Sequence, residues 1–171
     1  MDRKAESDPT TGKNRATVER RSERELVVTR VLNGPARIVF EAWTKPELFK
    51  RWWVPKSFGL SLLSCEMDVR TGGTYRLVFS HPASPEPMAF FGRYNEVTPH
   101  SRLVWTNDEG GEDGALTTVI FKEQGGKTLV VMSDLHRSKE ALDEAISSGS
   151  TSGFGEQFEQ LDAMLVSLDG S

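Results

Sequence analysis

Few side chains in this 171-residue sequence are spaced for chemistry. His81, His100 and His136 stand singly, each in a loop or at an element edge, and none completes an HExxH or other paired ligand spacing. Cys65 is the sole thiol, which excludes an internal disulfide, and without clustered histidines no zinc site is expected. GSTSG (149–153) has the outline of a nucleophile elbow, but its centre is Thr151 and it joins two helical patterns, where an elbow would join strand to helix. DEGGEDG (108–114) holds four carboxylates without the spacing or the closing Glu of an EF-hand loop. The pairs Gly72-Gly73, Gly110-Gly111 and Gly125-Gly126 belong to hairpin turns and match neither a Rossmann nor a P-loop pattern. No catalytic set, metal or cofactor is therefore expected, and binding is a better first expectation than catalysis.

Aromatic residues are the richer signal. Trp43, Trp52, Trp53, Phe58, Phe79, Phe91, Trp105, Phe121, Phe154 and Phe158 are many large rings for a domain of this size. Any one of them can be plain core. Together they can also wall an apolar pocket, which needs only a few polar groups to orient a ligand. On that reading Trp53 and Phe58 form a mouth, Phe79, Trp105, Phe121 and Met132 a sheet wall, and Phe154 and Phe158 a helix wall. Phe91 is a further candidate, although AFFG leaves open whether it or Phe90 faces outward. Thr117, Ser133 and Arg93 are candidate polar partners. In LFKRWWVP (48–55) the two adjacent indoles point about 100° apart on a helix. Trp52 is expected in the core and Trp53 at the mouth. Basic residues beside stacking rings also suit single-stranded nucleic acid, but the acidic protein and the divergent rings argue against it.

The elements that would position these residues follow from pattern. ELVVTRVL reads as a strand closed by Asn33-Gly34. A short amphipathic helix follows Pro35, and a second, with Thr44 as expected N-cap and Pro46 in its first turn, stops at Pro55. Residues 59–135 are short alternating runs divided by tight turns, the signature of a consecutively paired antiparallel sheet. Tyr75, Leu77 and Phe79 share one face, as do Leu103 and Trp105, Val119 and Phe121, and Val130 and Met132. Asp68 or Arg70 is expected to brace the DVRTGG turn. Ser138 caps a short helix. A long one then places Phe154, Phe158, Leu161, Leu165 and Leu168 on one stripe. The expectation is an α+β fold: a curved seven-stranded antiparallel sheet wrapped around a long C-terminal helix, with two short helices after the first strand.

Composition sets the outer limits. The net charge is −4 and the pI about 5.5, so no basic field invites nucleic acid or anionic membrane. No apolar run approaches the ~20 residues of a bilayer span. The start of the chain lacks a signal-peptide h-region, and a cytoplasmic location is expected. Residues 1–24 carry seven basic and five acidic residues and almost no large aliphatic ones. They are expected to form a disordered or frayed tail, leaving residues 25–171 as the domain.

The runs GPARIVFEAWTKPELFKRWWVP (34–55), DVRTGGTYRLVF (68–79), FGRYNEVTPHSRLVWT (91–106), TTVIFKEQGGKTLVV (117–131) and SKEALDEAISSGSTSGFGEQFEQLDAML (138–165) are collinear. In that order they resemble the SRPBCC (Bet v 1-like, START-related) superfamily, and most closely its branch similar to the C-terminal domain of the activator of heat-shock protein 90 ATPase. The resemblance implies a helix-grip fold, often with a cavity between sheet and helix. It implies three functional classes. The first is non-catalytic binding of a small hydrophobic ligand, the second a chaperone-linked interaction module, and the third a cyclase- or hydrolase-type enzyme using the same cavity. A monomer or homodimer is compatible with each.

Overall fold

The computed structural model describes residues 17–108, 114–148 and 153–169. Eight strands follow from the alternating runs: β1 (Thr17–Arg20), β2 (Glu25–Leu32), β3 (Ser61–Met67), β4 (Thr74–Ser80), β5 (Met88–Thr98), β6 (Arg102–Thr106), β7 (Leu116–Gln124) and β8 (Lys127–Leu135). They form one antiparallel sheet in the order β1-β2-β8-β7-β6-β5-β4-β3, with β1 and β3 at its edges. The helices are α1 (Ala36–Thr44), α2 (Pro46–Trp52), α3 (Lys139–Ser147) and α4 (Phe154–Asp169). This is the α+β helix-grip architecture, with one strand more than expected. The extra strand, β1, lies within the segment expected to be a tail. Its four residues are all exposed, and it is held by backbone pairing to β2, from Thr17↔Thr29 to Arg20↔Leu26. Apolar content did not announce it because an edge strand can rest on main-chain hydrogen bonds alone. Residues 1–16 lie outside the described residues.

Curvature comes from two irregularities. The register slips between Leu62 and Ser64 where β3 meets β4, and between Tyr94 and Glu96 where β5 meets β6. Such bulges bend the strand and raise its twist. At the second bend Gly92 is obligatory: a Cβ there would stand 1.9 Å from the Thr106 carbonyl oxygen. The same oxygen accepts a 2.8 Å bond from the Tyr75 hydroxyl. The DVRTGG turn is braced as expected, with Arg70 Nε 2.9 Å from Asp68 Oδ2 and Gly72 at φ 91°.

Helix α4 fills the concave side with Phe158, Leu161, Met164 and Leu165, all nearly inaccessible. Asp162, on the next face, ties it to β2. Its carboxylate lies 3.4 Å from Arg30 Nη2 and accepts from the Asn33 backbone N–H at 3.2 Å. Helix α1 starts after Pro35, and Pro46 opens α2 at its first position, where proline's missing N–H does no harm. Thr44 does not cap α2. It ends α1 and turns its hydroxyl back to the Phe40 carbonyl at 3.1 Å, and Lys45 takes the capping position. Ser138 caps α3 as its sequence suggests, accepting from the Ala141 N–H at 3.1 Å. Among the described residues no helix is long and apolar enough to cross a membrane.

Candidate functional site

The two indoles of LFKRWWVP separate as their helical spacing requires. Trp52 is sealed, its N–H donating to the Ala42 carbonyl at 2.9 Å and its ring against Trp43 and Phe158. Trp53, one residue on, is half-buried. It stacks on Phe49 at 4.8 Å and meets Trp105 of β6 edge-on at 6.4 Å. Beyond it Pro55 ends the helix and Phe58 sits in a single 3₁₀ turn, Lys56–Phe58.

This stretch is pinned by α4 through polar side chains that sequence reasoning passed over. Gln160 donates from Nε2 to the carbonyls of Trp52 and Val54, at 3.0 and 2.9 Å, and accepts from the Lys56 N–H at 2.9 Å. Gln157 donates to the Trp53 carbonyl. Glu156 accepts from both the backbone N–H and the hydroxyl of Ser57, and those bonds hold its carboxyl below the usual carboxylate range. The free carbonyls at the end of α2 are thus satisfied by side chains instead of water. The legible signal was a pair of glutamines three residues apart on a helix whose other face is apolar.

A cavity of about 770 Å³ lies between the concave sheet, the α2–β3 segment, α3 and the start of α4. Of the residues expected to line it, Trp53, Phe58, Phe79, Trp105, Met132 and Phe154 do. Phe121 and Phe158 do not: they pack against Trp43 in the solid core, at 5.3 and 5.9 Å. Phe91 is also displaced from the expected set. Strand parity puts Phe90 on the concave side, against Phe79 at 5.3 Å, and turns Phe91 to the outer face with 41% of its surface exposed. Of the three candidate polar partners only Thr117 faces the cavity. Ser133 donates to Glu25, and Arg93 pairs with Asp108 at 3.7 Å.

The cavity has a polar end built as one rung across the sheet. Tyr94 of β5 pairs with Trp105 of β6, Trp105 with Thr117 of β7, and Thr117 with Asp134 of β8. All four face the cavity. The Thr117 hydroxyl donates to Asp134 Oδ1 at 2.6 Å and accepts from Asn107 Nδ2 at 3.0 Å. Burial pushes the Asp134 carboxyl above its ordinary range, against the pull of the Thr117 bond. His136, two residues further on and also in the wall, is held below the usual histidine range by burial; Asp134 opposes that shift and Arg20 adds to it. Burial also raises the Tyr94 phenol, which stays neutral. Asp134 and His136 were within reach of sequence reasoning, since the alternation through Val130 and Met132 continues onto both. They were missed because the apolar pattern along that strand stops at Met132.

Among the described residues no group of three or more His, Cys, Asp or Glu side chains could hold a metal ion. Residues 149–152 of GSTSG and 109–113 of the acidic loop lie outside the described residues. Cys65 is half-buried with its thiol pushed up by burial, the opposite of an activated nucleophile.

The family model for Activator of Hsp90 ATPase homolog 1-like proteins matches residues 33–166. The chain belongs to that family. Solved structures agree on the fold. A Rhodobacter sphaeroides protein superposes with a TM-score of 0.80 at 23% identity, over 90% of this chain and 99% of that one. A Nitrosomonas europaea protein gives 0.78 at 25% identity, over 88% and 99%. An AHSA1-like protein from Aeromonas hydrophila gives 0.62 at 19% identity, over 79% and 90%. No protein of curated function matches the sequence. Membership in this SRPBCC/Bet v 1-like family fixes the architecture, while function rests on the site.

Proposed function

We propose that this protein binds a small hydrophobic ligand in the cavity between its sheet and its C-terminal helix, without transforming it. The observation that carries this reading is the cavity itself. At about 770 Å³ it falls within the ~300–1,000 Å³ typical of small-molecule sites. Its wall is mostly aromatic and aliphatic, and it holds one hydrogen-bonded polar set, Asn107, Thr117 and Asp134. Rings packed only for stability would close such a space, because a void forfeits contacts on all its lining atoms. An interaction module of the co-chaperone kind would instead pair a filled core with a broad exposed apolar patch.

A second reading draws on one observation. Asp134 and His136 bring two titratable groups into the wall, so proton transfer to or from a bound molecule is chemically available. The one hydroxyl bonded to Asp134, that of Thr117, belongs to a residue only 4% exposed and is held by Asn107 as well. It is poorly placed to attack a ligand, and binding remains the simpler account.

The test is native mass spectrometry of protein taken directly from cells, paired with titration of the neutral apolar dye Nile red. Retained small-molecule mass, or saturable dye binding weakened about tenfold or more by Trp53→Ala, is the expected outcome; loss of a large aromatic contact is worth that much. Absence of both retained mass and dye binding sinks the reading.

A further inference from the structure

The rung Tyr94–Trp105–Thr117–Asp134 says more about the ligand than that it is apolar, provided that the cavity binds a ligand as proposed. The polar end is one-sided in charge. Asp134 of β8 and Glu140 and Glu144 of α3 stand in the wall, and no lysine or arginine lines the cavity among the described residues. His136 compensates little, since burial holds its imidazole below the usual histidine range. Glu140 and Glu144 are exposed on α3, whereas Asp134 is held within the sheet. Asp134 is fixed through one oxygen by Thr117, which is in turn fixed by Asn107, and Asn107 Nδ2 is itself held by the Ala115 carbonyl at 2.7 Å. That chain of donors ends on Asp134 Oδ1 and leaves Oδ2 with no hydrogen bond from a described residue. Two strands away on the same rung, the Trp105 ring borders the same space.

A carboxyl held through one oxygen, in a cavity with aromatic walls and no wall cation, selects among apolar ligands by their head group. It offers a carboxylate-ended chain no compensating cation and disfavours a second negative charge beside it. It accepts a hydrogen bond from a donor, and a cationic donor adds charge assistance and attraction to the indole faces.

We propose that the ligand is an amphiphile with an apolar body and a protonated amine, the ammonium seated on Asp134 and the body against Trp53, Phe58 and Phe79. The family's fold does not require this. The nature of the ligand's head follows from residues of this chain at four adjacent strands.

The experiment displaces Nile red from the full chain at pH 7 with decylamine, decanol and decanoate, all below their micelle concentrations. Decylamine is expected to displace the dye at concentrations at least about tenfold lower than decanoate, with decanol between them, as one charge-assisted hydrogen bond implies. Asp134→Asn is expected to bring the amine and the alcohol together, each read against that variant's own Nile red affinity. Equal displacement by amine and carboxylate, or preference for the carboxylate, overturns the proposal and leaves cavity binding standing. An amine preference that survives in a folded Asp134→Asn protein overturns the assignment to Asp134. If that variant does not fold, the wild-type ranking alone still decides the ligand class. Failure of Nile red to bind wild type overturns the cavity reading and this inference with it.

Discussion

Asp134 is placed where its charge is costly to the fold, which is how a binding group differs from a structural one. Burial raises its carboxyl pKa in the folded state above the unfolded value. A raised carboxyl contributes its stability below the unfolded pKa and loses it as pH rises through the folded one. At neutral pH the wild type therefore carries a penalty that Asp134→Asn removes, while the amide oxygen still accepts from Thr117. The variant is expected to melt at a higher temperature than wild type at pH 7. That advantage should shrink on acidification and vanish below about pH 3.9, the ordinary carboxylate value. Thermal melts across that range check it, and a variant less stable at pH 7 would show that Asp134 serves the fold. Residue identity also explains what could be read early. Helical geometry alone separated Trp52 from Trp53, because neighbours on a helix must diverge. The same reasoning could not choose between Phe90 and Phe91, since two large rings in succession satisfy either parity. Only the pairing of β5 with β4 places Phe91 opposite Arg76 on the outer face.

At the scale of elements, the helix is gripped by polar ties as well as apolar area. Asp162 joins α4 to β2 and to the turn that launches α1, accepting from the Asn33 backbone and lying against a guanidinium whose side chain is 6% exposed. Arg30 Nε and Nη1 find no other partner among the described residues. Removing the carboxylate leaves a buried cation uncompensated, which typically destabilises by about 3–5 kcal/mol. Asp162→Ala is therefore expected to lower the urea midpoint sharply, with the unfolding slope unchanged. A shift of under about 1 kcal/mol would show that water reaches Arg30. Periodicity made the strands β2–β8, the three short helices and the long helix legible, because each buries one face with a regular repeat. It missed β1, which buries none. The Gln157 and Gln160 contacts were passed over too, since polar residues on a helix ordinarily mean solvent. Phe121 and Phe158 were misjudged for a related reason. Period fixes which side of an element a residue faces, while the depth of filling along that side depends on how α1 and α2 lie across the sheet.

For the whole molecule, the rings divide into a sealed core and a cavity wall. Trp52, Phe121 and Phe158 make the first; Trp53, Phe58, Phe79, Trp105 and Phe154 belong to the second, and Trp43, buried yet bordering the cavity, stands between them. The chain has four tryptophans, and they report on both parts: Trp52 from the core, Trp53 and Trp105 from the wall, and Trp43 from the boundary. Their indole N–H resonances provide the most direct measurement. In two-dimensional nitrogen–proton spectra of the uniformly labelled protein titrated with decylamine, the Trp53 and Trp105 signals are expected to move saturably. The Trp52 signal, bonded to Ala42 in the core, should stay in place. Indole signals that all remain still at saturating ligand, or shifts confined to the outer face around Phe91, would contradict binding in the cavity.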